Sequence, residues 1–134
     1  MTVTPCSKLA AAFLALAVIT TSGHDAFAQA PKPINNGDVL SGELRVMRSR
    51  AKGKRISTYQ VQSEARRIPG PDGLCNLETG PETFQIVIQN DADVKRLKPF
   101  IGKTISIKAS ELSCASAASQ VSDALVSKWS IVPQ

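Results

Sequence analysis

Apolar and polar residues alternate in several short stretches of the chain, and this pattern predicts β-strands. Over residues 39–47, Leu40, Leu44 and Val46 fall on one face while the other face is mostly polar or charged, which is the period of two of a half-buried strand. The same pattern predicts four further strands, at residues 56–62, 83–89, 104–108 and 124–132. In the last of these, the residues predicted to face inward are Leu125, Trp129 and Ile131.

One short helix is predicted between the third and fourth strands. Residues 91–97 have Val94 and Leu97 on one side, and Asn90 or Asp91 can cap the first turn. Five short strands and one helix predict a mainly β fold, a small five-stranded barrel of the oligonucleotide/oligosaccharide-binding (OB) type. Closure into a barrel removes exposed sheet edges, which favours this arrangement for a small domain.

Three segments between the strands break the alternation. Residues 49–55 are charged and contain Gly53, which favours a hairpin loop between the first two strands. Residues 68–73 are predicted to form an irregular loop, because their prolines lack a backbone donor and their glycines favour turns. Residues 113–124 are not assigned to strand, helix or loop.

The first 28 residues are predicted to be a cleaved signal peptide. Lys8 provides a positive charge, residues 9–19 form an uncharged apolar run, and Ala26-Phe-Ala28 is a small-x-small cleavage pattern. A permanent anchor is disfavoured, because this run of 11 residues is shorter than the roughly 20 that span a bilayer. The sequence therefore predicts export to the periplasm or the cell exterior, with no stable membrane anchor after cleavage.

Removal of this segment leaves residues 29–134. Residues 29–37 are polar and proline-containing, and are predicted to be a flexible leader to a barrel domain at residues 38–134. Export places the two remaining cysteines in an oxidising compartment, which predicts a disulfide between Cys75 and Cys114. Closing a loop of about 40 residues contributes about 4 kcal/mol to stability.

Three features of the chain, taken in order, resemble a known family. They are Leu40-Ser-Gly-Glu-Leu44, Cys75 before the Phe84 strand, and Leu97-Lys-Pro-Phe-Ile-Gly-Lys-Thr-Ile-Ser-Ile107, a helix end followed by Gly-Lys and an alternating strand. Together they resemble a family of small exported bacterial domains of unknown function. The resemblance implies an OB-like barrel and supplies no activity. The chain lacks the histidine-rich stretch that this family usually has before its last strand, since residues 116–120 contain no histidine.

The inventory of reactive side chains argues against an enzyme. The single histidine, His24, lies in the predicted signal peptide, so the rest of the chain lacks histidine-activated nucleophiles and histidine-ligated zinc. The acidic residues that lie close together in sequence have structural explanations: Glu78 and Glu82 lie in a loop, and Asp91 and Asp93 lie at a helix start. We therefore expect no catalytic residue, no metal site and no cofactor.

Positive charge is concentrated in one region. Without the signal peptide the chain keeps 15 basic and 10 acidic residues, and the excess falls between Glu43 and Arg67. We expect the basic side chains of the predicted hairpin to cluster. The functional hypothesis for this cluster is a non-enzymatic binding module that engages a polyanion, such as an anionic cell-envelope polymer. The candidate anion-binding residues are Arg45, Arg48, Arg50, Lys52, Lys54 and Arg55.

Other interpretations of the same features stay open. The charged hairpin is also explained as a solvated tip that keeps the protein soluble and discourages edge pairing. An alternative function is that of an inhibitor or interaction protein that binds a protein partner through the loop Pro69–Cys75, which a disulfide would pre-organise. Nucleic acid is disfavoured as a partner, because the aromatic residues on which single-stranded bases stack are predicted to lie mostly in the core.

Overall fold

The computed structural model of the chain describes residues 30–117 and 120–133, together with Thr2. Apart from Thr2, the predicted signal peptide at residues 1–28 lies outside the described residues. The elements follow the chain in this order: β1 (Lys32–Pro33), β2 (Asp38–Ala51), β3 (Lys54–Gln62), β4 (Arg66–Arg67), β5 (Thr83–Ile86), α1 (Asp91–Leu97), a 3₁₀ turn (Lys98–Phe100), β6 (Thr104–Cys114) and β7 (Ala124–Ile131).

Five of the strands close into a barrel. β2 pairs with β3, β3 with β5, β5 with β7, β7 with β6, and β6 returns to β2. All of these pairs are antiparallel except β5 with β7. With α1 placed between the third and fourth barrel strands, this is the predicted mainly β, five-stranded OB-type barrel. The fold-class prediction is confirmed.

The barrel interior is filled by apolar residues that alternate along its strands. Those with no exposed surface include Leu40, Leu44, Val61, Phe84, Ile105, Ile107 and Val126. The helix covers part of the core, because Leu97 at its end is also fully buried. It begins as predicted, since Asn90 Oδ1 accepts a hydrogen bond from the Asp93 backbone N–H at 3.0 Å.

Asp93 links α1 to the preceding segment through a buried carboxylate. Its Oδ2 accepts a hydrogen bond from the Gln89 backbone N–H at 3.1 Å, and its Oδ1 pairs with the Arg96 guanidinium. The Gln89 N–H, with Arg96 beside it, outweighs burial and lowers the pKa of the Asp93 carboxyl below its ordinary value of 3.8. The ionised form of Asp93 therefore stabilises the folded state.

Replacing Asp93 with asparagine is expected to lower the free energy of unfolding at pH 7 by about 1–3 kcal/mol, because the donors around it lose a charged acceptor. A carboxylate whose pKa is lowered in the folded state contributes its full stabilisation at pH values above its unfolded-state pKa. That stabilisation is lost as the pH falls through the folded-state pKa. In urea unfolding, the gap between wild type and Asp93→Asn should therefore be smaller at pH 3 than at pH 7. Asp91→Asn, an exposed carboxylate of the same turn, is the control, and an equal loss in both variants would contradict a specific role for Asp93.

Two register shifts in the β6–β7 pair, on either side of Glu111, change which residues of the last strand face inward. Ala109 pairs with Trp129 and Leu112 with Val126, so both strands advance by three residues between two inward-facing pairs. The prediction that Leu125 faces the interior is therefore wrong, and Val126 is fully buried instead. Trp129 packs against the core as predicted and is partly buried.

Part of the predicted leader belongs to the fold. β1 (Lys32–Pro33) pairs in parallel with β4 (Arg66–Arg67), and Ile34 has no exposed surface. The assignment of residues 29–37 to a flexible leader is therefore wrong for residues 32–34. A two-residue strand with one buried isoleucine leaves no periodic pattern, so alternation along the sequence could not reveal it.

The predicted disulfide is present. Cys75 and Cys114 are joined, with their Cα atoms 5.4 Å apart. β6 continues to Cys114, so the first residues of the unassigned segment 113–124 belong to a strand. Just beyond it, the Ala115 N–H donates to the Asp123 carbonyl at 3.0 Å. The disulfide thus ties the loop that follows β4 to the end of a barrel strand.

Candidate anion-binding arm

The β2–β3 hairpin extends beyond the barrel as a two-stranded arm. β2 pairs with β6 only up to Glu43, and β3 pairs with β5 only from Tyr59 onward. Residues 47–51 and 54–58 therefore pair with each other alone. We call residues 47–58 the arm. At about 3.4 Å per residue, its strands project about 17 Å from the barrel.

The arm has longer strands and a shorter turn than the sequence predicts. β2 continues to Ala51 and β3 begins at Lys54, which leaves Lys52 and Gly53 as the turn. Their φ angles of 52° and 74° both lie in the left-handed region, as in a type I′ turn, whose twist matches that of the paired strands. The prediction of a hairpin loop is wrong for residues 49–51 and 54–55, because the strand pairing continues through this charged segment up to the turn.

One side of the arm, which we call the cationic face, carries three arginines. Arg48, Arg50 and Arg55 are in phase with Leu44 and Val46, so this face continues the interior surface of the barrel. Arg50 lies directly opposite Arg55. The three arginines line an open cavity of about 550 Å³, whose other lining residues are Ser49, Ile56 and Ser57. Among the residues that the structure describes, none of the three forms an ion pair. The arm itself contains no acidic residue.

The opposite side of the arm, which we call the apolar face, presents two large hydrophobic side chains. Met47 pairs with Thr58 and Ser49 pairs with Ile56, so Met47 and Ile56 are diagonal neighbours. Their side chains are 44% and 43% exposed. The arm is therefore amphipathic across its thickness.

The remaining candidate residues lie at the tip and at the base. Lys52 is in the turn and Lys54 begins β3, and both are exposed. Arg45 lies at the base, on the side away from the cationic face, with its Nε 3.2 Å from Glu43 Oε1. The structure therefore gathers five of the six predicted residues on the arm, whereas Arg45 is paired on the barrel wall.

The loop Pro69–Cys75 lies at the other end of β3. The strand runs from the arm to Gln62, and the chain then enters the segment that the disulfide ties to β6. The Ile68 N–H donates to the Gly73 carbonyl at 2.9 Å, which closes a turn whose residues 69–72 are exposed. The two candidate surfaces therefore lie at opposite ends of β3.

A second cavity, of about 260 Å³, lies beside α1 and was not predicted from the sequence. Arg96 stacks over the Trp129 ring, 5.1 Å from its centroid, and pairs with Asp93. The Trp129 Nε1–H donates to the Val87 carbonyl at 2.9 Å. Because these polar groups already have partners, the packing of α1 against β7 explains the cluster.

Metal-ligating side chains are not grouped in the described part of the chain. Across residues 30–117 and 120–133, no set of three or more His, Cys, Asp and Glu side chains is arranged to hold a metal ion. No helix among these same residues is long and apolar enough to cross a membrane.

Comparisons with known proteins do not add a relative for this chain. No family model matches it, and neither a curated protein nor a solved structure matches it significantly.

Proposed function

We propose that this protein is an exported, non-enzymatic binding module that engages polyanions through the cationic face of its arm. One observation carries the proposal: Arg50 lies directly opposite Arg55, with Arg48 beside them and no acidic partner among the described residues. The tip residues Lys52 and Lys54 add to the same positive potential.

The opposed arginines favour an anionic partner for an energetic reason. Like charges directly opposite each other on paired strands destabilise the pairing. A multivalent anion held between them relieves this repulsion and accepts bidentate hydrogen bonds from the guanidinium groups. A local feature that costs stability without helping the fold is typical of a functional site. This supports a binding role over a purely solubilising one.

Export is part of the proposal, and the disulfide supports it. Disulfides persist in oxidising compartments and are rare in the cytosol of most organisms, and Cys75 and Cys114 are joined in this fold. The charged, apolar and small-residue zones of residues 1–28 favour the same destination.

Heparin affinity chromatography tests the arm. The variant Arg48→Ser/Arg50→Ser/Arg55→Ser is expected to elute at clearly lower salt than the wild type. Each lost contact reduces the number of counterions released on binding, and with it the affinity and its dependence on salt. Circular dichroism of both proteins checks that the barrel is unchanged.

The matched control removes the same number of charges elsewhere. Lys95, Lys98 and Lys103 are exposed and lie in and after α1, and the triple serine variant at these positions is expected to elute close to the wild type. Equal shifts for the two triple variants would contradict the proposal, because retention would then follow net charge and not the arm.

A second candidate function uses the loop Pro69–Cys75. The disulfide and the hydrogen bond between Ile68 and Gly73 hold exposed residues 69–72 in one conformation, which lowers the entropic cost of binding a protein partner. The test is a protein partner that binds the wild type and the arginine variant equally and no longer binds once the disulfide is reduced. Such a partner would favour an inhibitor or interaction role over polyanion binding.

A further inference from the structure

The apolar face gives the arm a property that binding of a soluble polyanion does not require. Met47 and Ile56 are diagonal neighbours on this face, each more than two-fifths exposed. Exposed hydrophobic residues occur singly on most protein surfaces. Here two of the five most exposed large hydrophobics in the described part of the chain share a strand pair directly behind the cationic face.

We infer that the arm docks on the anionic surface of a lipid bilayer. In this arrangement Met47 and Ile56 enter the region between headgroups and acyl chains, and the arginines bind lipid phosphates. The inference rests on the proposed function and names its partner, since the polyanion becomes an array of anionic headgroups. An interface of this kind offers anionic and apolar chemistry within a few ångströms, which matches an element with one cationic and one apolar side.

The width of the arm lets both faces act at the same surface. Residues 47–51 and 54–58 have no third strand beside them, so both edges of the ribbon are open. Arginine carries a long aliphatic stem and can lie along an apolar surface while its guanidinium reaches the phosphate level. Arg48 on β2 and Arg55 on β3 can therefore pass around opposite edges while the apolar face points into the bilayer.

The tip is compatible with the same orientation. Lys54 lies on the side of the apolar face, opposite Ala51, and Lys52 is in the turn. Both lysines thus lie farther along the arm than Met47 and Ile56, where they meet headgroups beside the inserted pair. The base of the arm is held by the barrel through Val46 and Tyr59, which limits how deeply the ribbon enters.

Vesicle sedimentation tests the inference directly. The wild type is expected to sediment with vesicles that contain phosphatidylglycerol in phosphatidylcholine, and not with phosphatidylcholine alone. The variant Met47→Ser/Ile56→Ser is expected to bind the anionic vesicles at least about tenfold more weakly, because it loses apolar burial. The control Val39→Ser/Val121→Ser removes equally exposed side chains outside the arm, 46% and 50% exposed, and is expected to bind as the wild type does.

Heparin retention separates this inference from the proposed function. Met47→Ser/Ile56→Ser keeps every arm cation, so its elution from heparin should match the wild type. Unchanged vesicle binding by this variant would overturn the inference and leave polyanion binding intact. An equal loss of binding to vesicles and to heparin would also overturn the inference, because Met47 and Ile56 would then be needed for the structure of the arm and not for insertion. Failure of the arginine variant to lose heparin retention would overturn the proposed function.

A fluorescence measurement keeps the inference testable if the serine variant folds poorly. Met47→Trp places an indole at the proposed insertion site, and its emission is expected to shift to the blue with anionic vesicles. Val39→Trp is the matched control, and its emission should not shift. An equal response of the two tryptophan variants would count against insertion of the apolar face.

Discussion

Replacing both Cys75 and Cys114 with alanine is expected to lower the free energy of unfolding by about 2–5 kcal/mol. The disulfide joins residues 39 positions apart, so its loss releases a long segment in the unfolded state. Residues 68–82 form no strand or helix, which makes the cross-link a principal restraint on that part of the fold. For a small domain with a stability of about 5–15 kcal/mol, this is a large fraction.

Urea unfolding followed by the fluorescence of Trp129, the single tryptophan of the chain, measures this effect. Wild-type protein in reductant should unfold at the same urea concentration as the alanine variant, and the variant should not respond to reductant. A wild-type midpoint that reductant leaves unchanged would show that packing alone holds the loop.

The second large effect is expected at Gly42, for which Gly42→Ala should cost about 3 kcal/mol or more. Gly42 pairs with Ile105 of β6 and directly precedes Glu43, the residue at which β2 begins its pairing with β3. An alanine Cβ there would lie 2.1 Å from the Gln62 carbonyl oxygen and 2.9 Å from Val61 Cγ1. The oxygen belongs to the backbone of a barrel strand, so it cannot move without disturbing strand pairing.

Gly53→Ala is the matched control for this substitution. No atom lies within 4 Å of a Cβ at Gly53, so only its φ of 74° opposes alanine. That backbone strain costs about 1–2 kcal/mol. Thermal or urea unfolding of both variants should therefore rank Gly42→Ala as the more damaging change. The reverse order would mean that the two strands separate more easily at Gly42 than the close approach implies.

Much of the barrel could be predicted from the sequence, because its strands obey the rules that alternation encodes. Phe84 and Ile86 alternate with polar or less buried neighbours and are buried as expected, and α1 has the predicted bounds because Asn90 caps it and Leu97 faces the core. These elements each bury one face, which is the condition under which the period reports the structure.

The incorrect predictions for Leu125 and for residues 32–34 share a different cause. The two register shifts between β6 and β7 change the phase within a continuous strand, so an uninterrupted period of two from Trp129 places Leu125 on the wrong face. β1 is two residues long and is paired with β4, and the one buried side chain beside it, that of Ile34, forms no periodic pattern. Both features depend on partners that are distant in sequence.

The candidate site was predicted in part. The cluster of cations was evident from composition, but its division into two faces requires the strands to continue through residues 49–55. The concentration of charge in that segment predicts a loop instead. Because the strand pairing continues through this segment, the alternation of side chains along a strand places Arg48 and Arg50 on one side and Met47 on the other.

The two-residue turn at Lys52 and Gly53 constrains how this arm can change over evolution. Substitutions on either face leave the pairing intact, because the ribbon is held by its backbone. A single inserted or deleted residue in one strand would instead reverse the side chains beyond it, and would separate Arg50 from Arg55. Lengths of this hairpin among descendants of the chain should therefore differ by even numbers of residues, while its composition drifts freely.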